Sequence, residues 1–171
     1  MVQLALLVAA GLVLFVFESF VPKPLPWLRL GLANVATLVA LCLFGIREAF
    51  IVASMRALLG SFVVGGLLNP AFLFSLLGGL MSAASMALIY FYFKGVFSII
   101  GVSIWGALAH NTTQLIVATT VFVRRWELMY FLPFFLVSTV ATGFLTGLLV
   151  SLFMERMSGR RSIRFSVNSD M

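Results

Sequence analysis

The chain has 171 residues, of which 63% are apolar and 9% charged, with a mean hydropathy of +1.18, whereas an ordinary soluble domain carries about 25% charged residues. A soluble fold of this length would have to cover itself with 11 basic and 5 acidic residues and leave large apolar patches facing water, which soluble monomers avoid. A lone soluble domain is excluded, and the chain reads as an all-α integral membrane protein.

The first apolar run, Leu4 to Val21, is long enough to cross a hydrocarbon core of about 30 Å at about 1.5 Å per residue, and it carries Glu18 near its end. No Lys or Arg precedes it, so the basic region of a cleaved signal peptide is missing and the run is kept as a spanning helix. VPKPLP then enforces an extended or kinked connection, and WLRLGLAN leads into a second run, Leu30 to Ile46, near the minimum spanning length. Arg47 and Glu48 separate it from a third run, Ala49 to Leu68, interrupted by Arg56. Asn69 and Pro70 start the fourth, Ala71 to Phe93, which ends at Lys94-Gly95. The fifth, Val96 to Val123, contains His110, Asn111 and Gln114 and closes on Arg124, Arg125 and Glu127. The sixth, Leu128 to Met154, has Pro133 near its start and leads into ERMSGRRSIRFSVNSDM. The prediction is therefore a six-helix transmembrane domain over 1–157 followed by a basic, disordered cytoplasmic tail over 158–171.

The net charge of +6 reads as topology rather than as a nucleic-acid footprint, because four of the 11 basic residues lie between Arg156 and Arg164 and the others punctuate hydrophobic runs. Lys and Arg are retained on the cytoplasmic side. With six spans both termini share a side, and placing them in the cytoplasm puts Arg47, Lys94, Arg156, Arg160, Arg161 and Arg164 inside, against Lys23, Arg29, Arg124 and Arg125 outside. The tail's basic cluster is suited to anionic lipid. Trp27 and Trp126 flank the loops placed outside, as an interfacial aromatic belt requires, while Trp105 lies toward the other end.

In lipid, helices approach closely through small residues. Ser75, Gly79, Ala83 and Ala87 recur every four residues in the fourth run, and Gly143 and Gly147 form a GxxxG pair in the sixth; both are expected to seat helices of this same chain. Ala5 and Ala9 lie on the cytoplasmic half of the first run, where a small face can serve either internal packing or a partner subunit.

An ionisable group within a span costs about 2.5–3.5 kcal/mol on insertion scales and tends to mark a site. The candidates are Glu18, Arg56, His110 and, at the membrane edge, Arg29. His110 and Gln114 are four apart and share a face, with Asn111 beside them. Arg56 is either half of an internal ion pair with Glu18, which has Arg29 as a second possible partner, or a donor to an anionic ligand, for which its planar guanidinium is suited. His110 is either a hydrogen-bonded packing residue or a ligand contact, and Asn34 is either a cap or interhelical bond, or a site residue.

Catalytic constellations are not found. The five acidic residues, Glu18, Glu48, Glu127, Glu155 and Asp170, are scattered, which argues against paired-carboxylate hydrolysis and leaves no aspartate-rich motif to hold Mg²⁺ on a diphosphate. One His and one Cys, Cys42 within an apolar stretch, supply neither a metal set nor a redox pair. No GxxxxGK[ST] phosphate cradle exists, so any ATP drive must come from another chain. No metal and no cofactor is expected, and no enzymatic activity.

PWLRLGLANVATL, REAFIVASMRALLGSFVVGGL, FSLLGGLMSA and GVSIWGALAHNTTQL together resemble the Gx transporter family, which carries the label heptaprenyl diphosphate synthase component I. LRLGLAN and AHN are the most specific of these elements. That family is similar in size and six-helix layout to the S components of energy-coupling factor (ECF) transporters, which capture a micronutrient outside while a separate T protein and two ATPases drive its release inside. The resemblance implies that small residues on the first helix, here Ala5 and Ala9, face a T protein. The synthase label finds no support in the residues and would imply an accessory membrane subunit; relatives are also associated with quinone-linked extracellular electron transfer.

The expectation is a multi-pass protein of a prokaryotic cytoplasmic membrane that binds a small, anionic solute in an outward-opening cavity lined by Arg29, Asn34, Arg56, His110, Asn111 and Gln114, with T and ATPase subunits as partners. The alternative is a non-catalytic membrane partner of heptaprenyl diphosphate or quinone metabolism, with a prenyl synthase or quinone-pathway protein as neighbour.

Overall fold

The computed structural model describes residues 2–20, 31–64, 70–93, 95–124, 127, 130 and 132–167. Six α-helices, α1 (Val2–Phe20), α2 (Asn34–Leu43), α3 (Ile46–Val63), α4 (Pro70–Tyr92), α5 (Ile99–Val117) and α6 (Leu132–Val167), account for nearly all of them, and α5 is prolonged by a π-helical segment, Ala118–Val123. No strand occurs among the described residues. The expected all-α membrane architecture is what the chain adopts.

Three segments are long and apolar enough to cross a membrane: Val2–Phe20, Phe72–Tyr92 and Leu132–Met157. Two others owe their lower hydropathy to residues turned inward. Arg56 of α3 and His110, Asn111 and Gln114 of α5 are all buried, so protein rather than lipid receives them, as intramembrane polar groups require.

The second helix departs from expectation. The hydropathic run Leu30 to Ile46 resolves into a helix of only 10 residues, about 15 Å long, or half of a hydrocarbon core. Two glycines cut it short. Gly31 has φ +80° and Gly45 φ +118°, conformations that L side chains rarely adopt, and hydropathy does not register them. Gly31 opens a turn in which its carbonyl accepts from Asn34 N at 2.8 Å, and α2 ends where Phe44 N and Gly45 N both donate to Ala40 O. This short helix packs against all five others. Seven of its residues are buried, and Leu38, Val39 and Leu41 meet Val52 of α3, Met86 of α4, Val102 of α5 and Val150 of α6 in the main core. A helix buried on every side has no need of a polar face.

Around α2, α5 makes its most extensive contacts with α6 and α4, α4 packs on α3, and α3 on α1. The small-residue signals serve these contacts as expected. A methyl added to Gly143 would lie 2.7 Å from Ile104 Cα, and one added to Gly147 would lie 2.6 Å from Ile100 Cα, so the GxxxG pair seats α6 against the backbone of α5. Ser75, Gly79, Ala83 and Ala87 are all buried along α4. Ser103 and Thr146 close the α5–α6 contact with a 2.7 Å hydrogen bond.

At its C-terminal end α6 is helical backbone to Val167. Once an apolar helix is nucleated, each further residue costs little, and the charged residues that follow Met154 are compatible with helix. The helix is about 54 Å long in all, which carries its last turns beyond an apolar core of about 30 Å.

Candidate functional site

α1 turns a single stripe inward: Gly11, Phe15 and Glu18 are its buried residues, at the i, i+4, i+7 spacing of one helix face. Each meets a different piece of the site. A methyl on Gly11 would lie 3.6 Å from Arg56 Cδ and 3.1 Å from Ala36 Cβ, so glycine lets α1 lie against the arginine's stem. Phe15 packs its ring over Gly60 of α3. Glu18, 1% exposed, accepts a hydrogen bond from Gly31 N at 2.6 Å through Oε1.

Arg56 projects from the middle of α3, 3% exposed, and donates through Nη2 to Asn34 Oδ1 at 2.6 Å. Asn34 is the first residue of α2 and belongs to the turn that Glu18 holds. On α5, His110 Nε2 and Gln114 Nε2 are 3.1 Å apart, the one-turn pairing that their spacing predicts. Each pair touches α4, at consecutive glycines. Methyls on the consecutive residues Gly78 and Gly79 would lie 3.0 Å from His110 Nδ1 and 3.2 Å from Arg56 Nη2, respectively. Consecutive positions of a helix differ by about 100°, so Gly78 faces α5 and Gly79 faces α3.

Asn111 does not join them. Its Nδ2 donates to Thr139 Oγ1 of α6 at 2.6 Å, which turns the side chain toward α6 rather than α4. Arg29 lies outside the described residues, as do Lys23, Trp27, Arg125 and Trp126. Sequence reasoning missed Thr139, Gly31 and the role of Gly78; of these, the Gly-Gly pair in the middle of an apolar run carried the readable signal.

Several buried polar atoms have no hydrogen-bond partner among the described residues: Asn34 Nδ2, Asn111 Oδ1, Gln114 Oε1 and the hydroxyls of Thr37, Ser75 and Ser82. Such an atom costs about 1–3 kcal/mol when nothing bonds it. Asn34 and Gln114 stand out because each belongs to one of the two pairs over Gly78 and Gly79, one offering a donor and the other an acceptor. No group of three or more His, Cys, Asp or Glu that could hold a metal ion occurs among the described residues.

The first helix also carries Ala5 and Ala9, both exposed. Beside them runs an apolar groove of about 400 Å³, bounded by Leu6 and Ala10 of α1, Leu43 of α2, and Phe153 and Met157 of α6. It continues over α2 as a second hollow of about 310 Å³ between Leu14, Val39 and Leu149.

The family model described as heptaprenyl diphosphate synthase component I matches residues 7–153. The chain belongs to that family. All of the described site residues and Ala9 fall within the match, whereas Ala5 precedes it. A search of curated proteins finds no match. Among solved structures, the S component of a bacterial ECF transporter, described in work on its structure and mechanism, superposes with a TM-score of 0.72 at 19% identity, covering 92% of this chain and 94% of that one. The two share a fold over essentially their whole lengths, and the resemblance read from LRLGLAN and AHN agrees with both findings.

Proposed function

We propose that this chain is a solute-binding membrane subunit of the S-component kind, taking up a small, anionic or partly anionic solute across a prokaryotic cytoplasmic membrane with both termini in the cytoplasm. The observation that carries this reading is Arg56: a buried guanidinium held by Asn34, seated on Gly79, one residue from the Gly78 seat of the His110–Gln114 pair. A guanidinium within a membrane protein is costly unless it serves a site, and it recognises carboxylate or phosphate through a planar fork. Asn34 Nδ2 and Gln114 Oε1, which have no hydrogen-bond partner among the described residues, supply further polar contacts. In this reading Arg56, Asn34, His110 and Gln114 contact the solute, Arg29 completes the lining while Asn111 braces α5 on α6, and separate T and ATPase subunits dock on the exposed Ala5 and Ala9 face. No chemical step is assigned to the chain.

The test is mass spectrometry of small molecules retained by the protein purified from its native membrane, wild type against Arg56→Gln, with the proteins that co-purify identified in parallel. A retained anionic compound lost in the variant, together with a T protein and ATPases, is the expected result. The family's name, heptaprenyl diphosphate synthase component I, supports a second reading, a non-catalytic membrane partner of heptaprenyl diphosphate synthesis, and a prenyl synthase or quinone-pathway protein co-purifying in place of the ATPases would favour it.

A further inference from the structure

Glu18 is the acidic residue of the apolar part of α1, and its observed hydrogen bond goes to a backbone N–H, that of Gly31. That choice of partner has consequences three residues on. Gly31 sits at φ +80°, and a methyl there would lie 3.3 Å from Asn34 Nδ2, so the turn both needs glycine and folds closely over the Asn34 amide. The Gly31 carbonyl accepts from Asn34 N at 2.8 Å, and Asn34 Oδ1 accepts from Arg56 Nη2 at 2.6 Å. A continuous chain of hydrogen bonds thus runs from α1 through the turn to the guanidinium on α3, and Glu18, Asn34 and Arg56 are all buried along it.

We infer that Glu18 is a positioning residue: by holding the Gly31 N–H it sets the turn that seats Asn34 on Arg56, and so fixes where the guanidinium points. The inference rests on the reading of Arg56 as the solute's anion-recognising group, but the geometry it asserts is testable without any solute. It also assigns Glu18 a role that an ion-pair view of two intramembrane charges overlooks. The carboxyl group reaches Arg56 through a backbone turn and one amide.

The experiment uses the full chain in lipid nanodiscs, with phenylglyoxal as an arginine-selective probe and modification mapped by mass spectrometry. Arg56 is buried whereas Arg47 is exposed, so Arg47 serves as the internal standard. Hydrogen exchange of the Gly31–Asn34 segment is read in the same samples. In Glu18→Leu, which keeps bulk and removes the acceptor, Gly31–Asn34 should exchange faster and Arg56 should react at least about threefold faster relative to Arg47. Asn34→Leu should match that acceleration, and the double variant should add nothing to it, because both break one chain of contacts. Glu18→Gln keeps the side-chain length and an oxygen acceptor and should behave as wild type. If Glu18→Leu does not fold, Glu18→Met, of similar length and also without an oxygen acceptor, takes its place and must accelerate Arg56 as Asn34→Leu does, while Glu18→Gln must not. Faster exchange at Gly31 with Arg56 as slow as in wild type would overturn the inference. So would loosening that extends to the α5–α6 contact at Gly143 and Gly147, which would mark Glu18 as a general stabiliser. Neither result depends on what the solute is, so either can fail while the proposed transport role stands.

Discussion

Arg56 of α3 donates to Asn34 of α2 at 2.6 Å, and this bond ties the guanidinium to the first turn of the most buried helix in the molecule. An intramembrane arginine so tied has two competing explanations: it balances a buried acid, or it waits for an anion. Removing one member of a buried ion pair strands the other and costs about 3–5 kcal/mol. If Arg56 balances Glu18, Arg56→Gln destabilises the protein by that much and Glu18→Gln restores it. Glu18 is bonded to Gly31 N, an arrangement in which a glutamine oxygen serves as well, so rescue is not expected. Arg56→Gln should instead weaken binding of the retained anionic solute by about 1.5–3 kcal/mol, the worth of a hydrogen bond to a charged group, which is about tenfold to a hundredfold in Kd. Thermal stability and solute affinity of both single variants and the double variant check this, and recovery of stability in the double variant with affinity unaffected throughout would remove Arg56 from the site.

The glycines of α4 and α6 should respond differently to one added methyl. At Gly79 the methyl meets the end of a flexible side chain, Arg56 Nη2 at 3.2 Å, and alanine favours helix by about 0.5–1 kcal/mol. Gly79→Ala should therefore melt within a few degrees of wild type yet bind the solute about tenfold more weakly, because the guanidinium is pushed off its seat. At Gly147 the methyl meets backbone, Ile100 Cα at 2.6 Å, which cannot give without separating α5 from α6. Gly147→Ala should cost about 1–3 kcal/mol, as overpacking does, with little change in affinity for the protein that stays folded. Paired melting and binding measurements separate these outcomes, and a Gly79→Ala variant with full affinity would contradict the proposed seat.

Much of this arrangement was legible in the sequence, and the parts that were not share a cause. The His110–Gln114 pairing, the GxxxG contact and the Ser75–Ala87 stripe all follow from helical spacing alone, because one period fixes which side chains share a face. The hydrogen bond of Glu18 to Gly31 did not follow, since it comes from a backbone N–H 13 residues away and charge-pairing arguments consider side chains. The length of α2 was overestimated because hydropathy does not report the left-handed Gly31 and Gly45 that end it. Asn111 was grouped with its neighbours by proximity in sequence, but adjacent helix positions differ by about 100°, enough to point it at Thr139 on another helix.

The proposed topology rests on the basic residues, with the stretch Arg156 to Arg164 contributing most to the count on the side assigned to the cytoplasm. Ser166 follows that cluster on the helical backbone of α6. In a Cys42→Ala background, which removes the only native thiol, Ser166→Cys should stay unlabelled by a membrane-impermeant maleimide in intact cells and become labelled once the cells are opened. Labelling in intact cells would reverse the orientation and with it the side from which the solute enters.

The proposed docking face can be tested apart from the proposed solute site because α1 presents them on different residues. Gly11, Phe15 and Glu18 turn inward, while Ala5 and Ala9 are exposed beside the apolar groove at Leu6 and Ala10. Small residues permit the closest approach of a second helix, so a bulky side chain at Ala9 should block a partner sterically without reaching Arg56. Ala9→Trp should then fold and retain its solute with wild-type affinity, while co-purification of T and ATPase subunits and uptake by cells both fall to background. Ala9→Ser, small and still able to pack closely, should preserve both. If Ala9→Trp instead loses solute or melts well below wild type, Ala9 belongs to the internal packing of the bundle and the partner face must be sought elsewhere on the molecule.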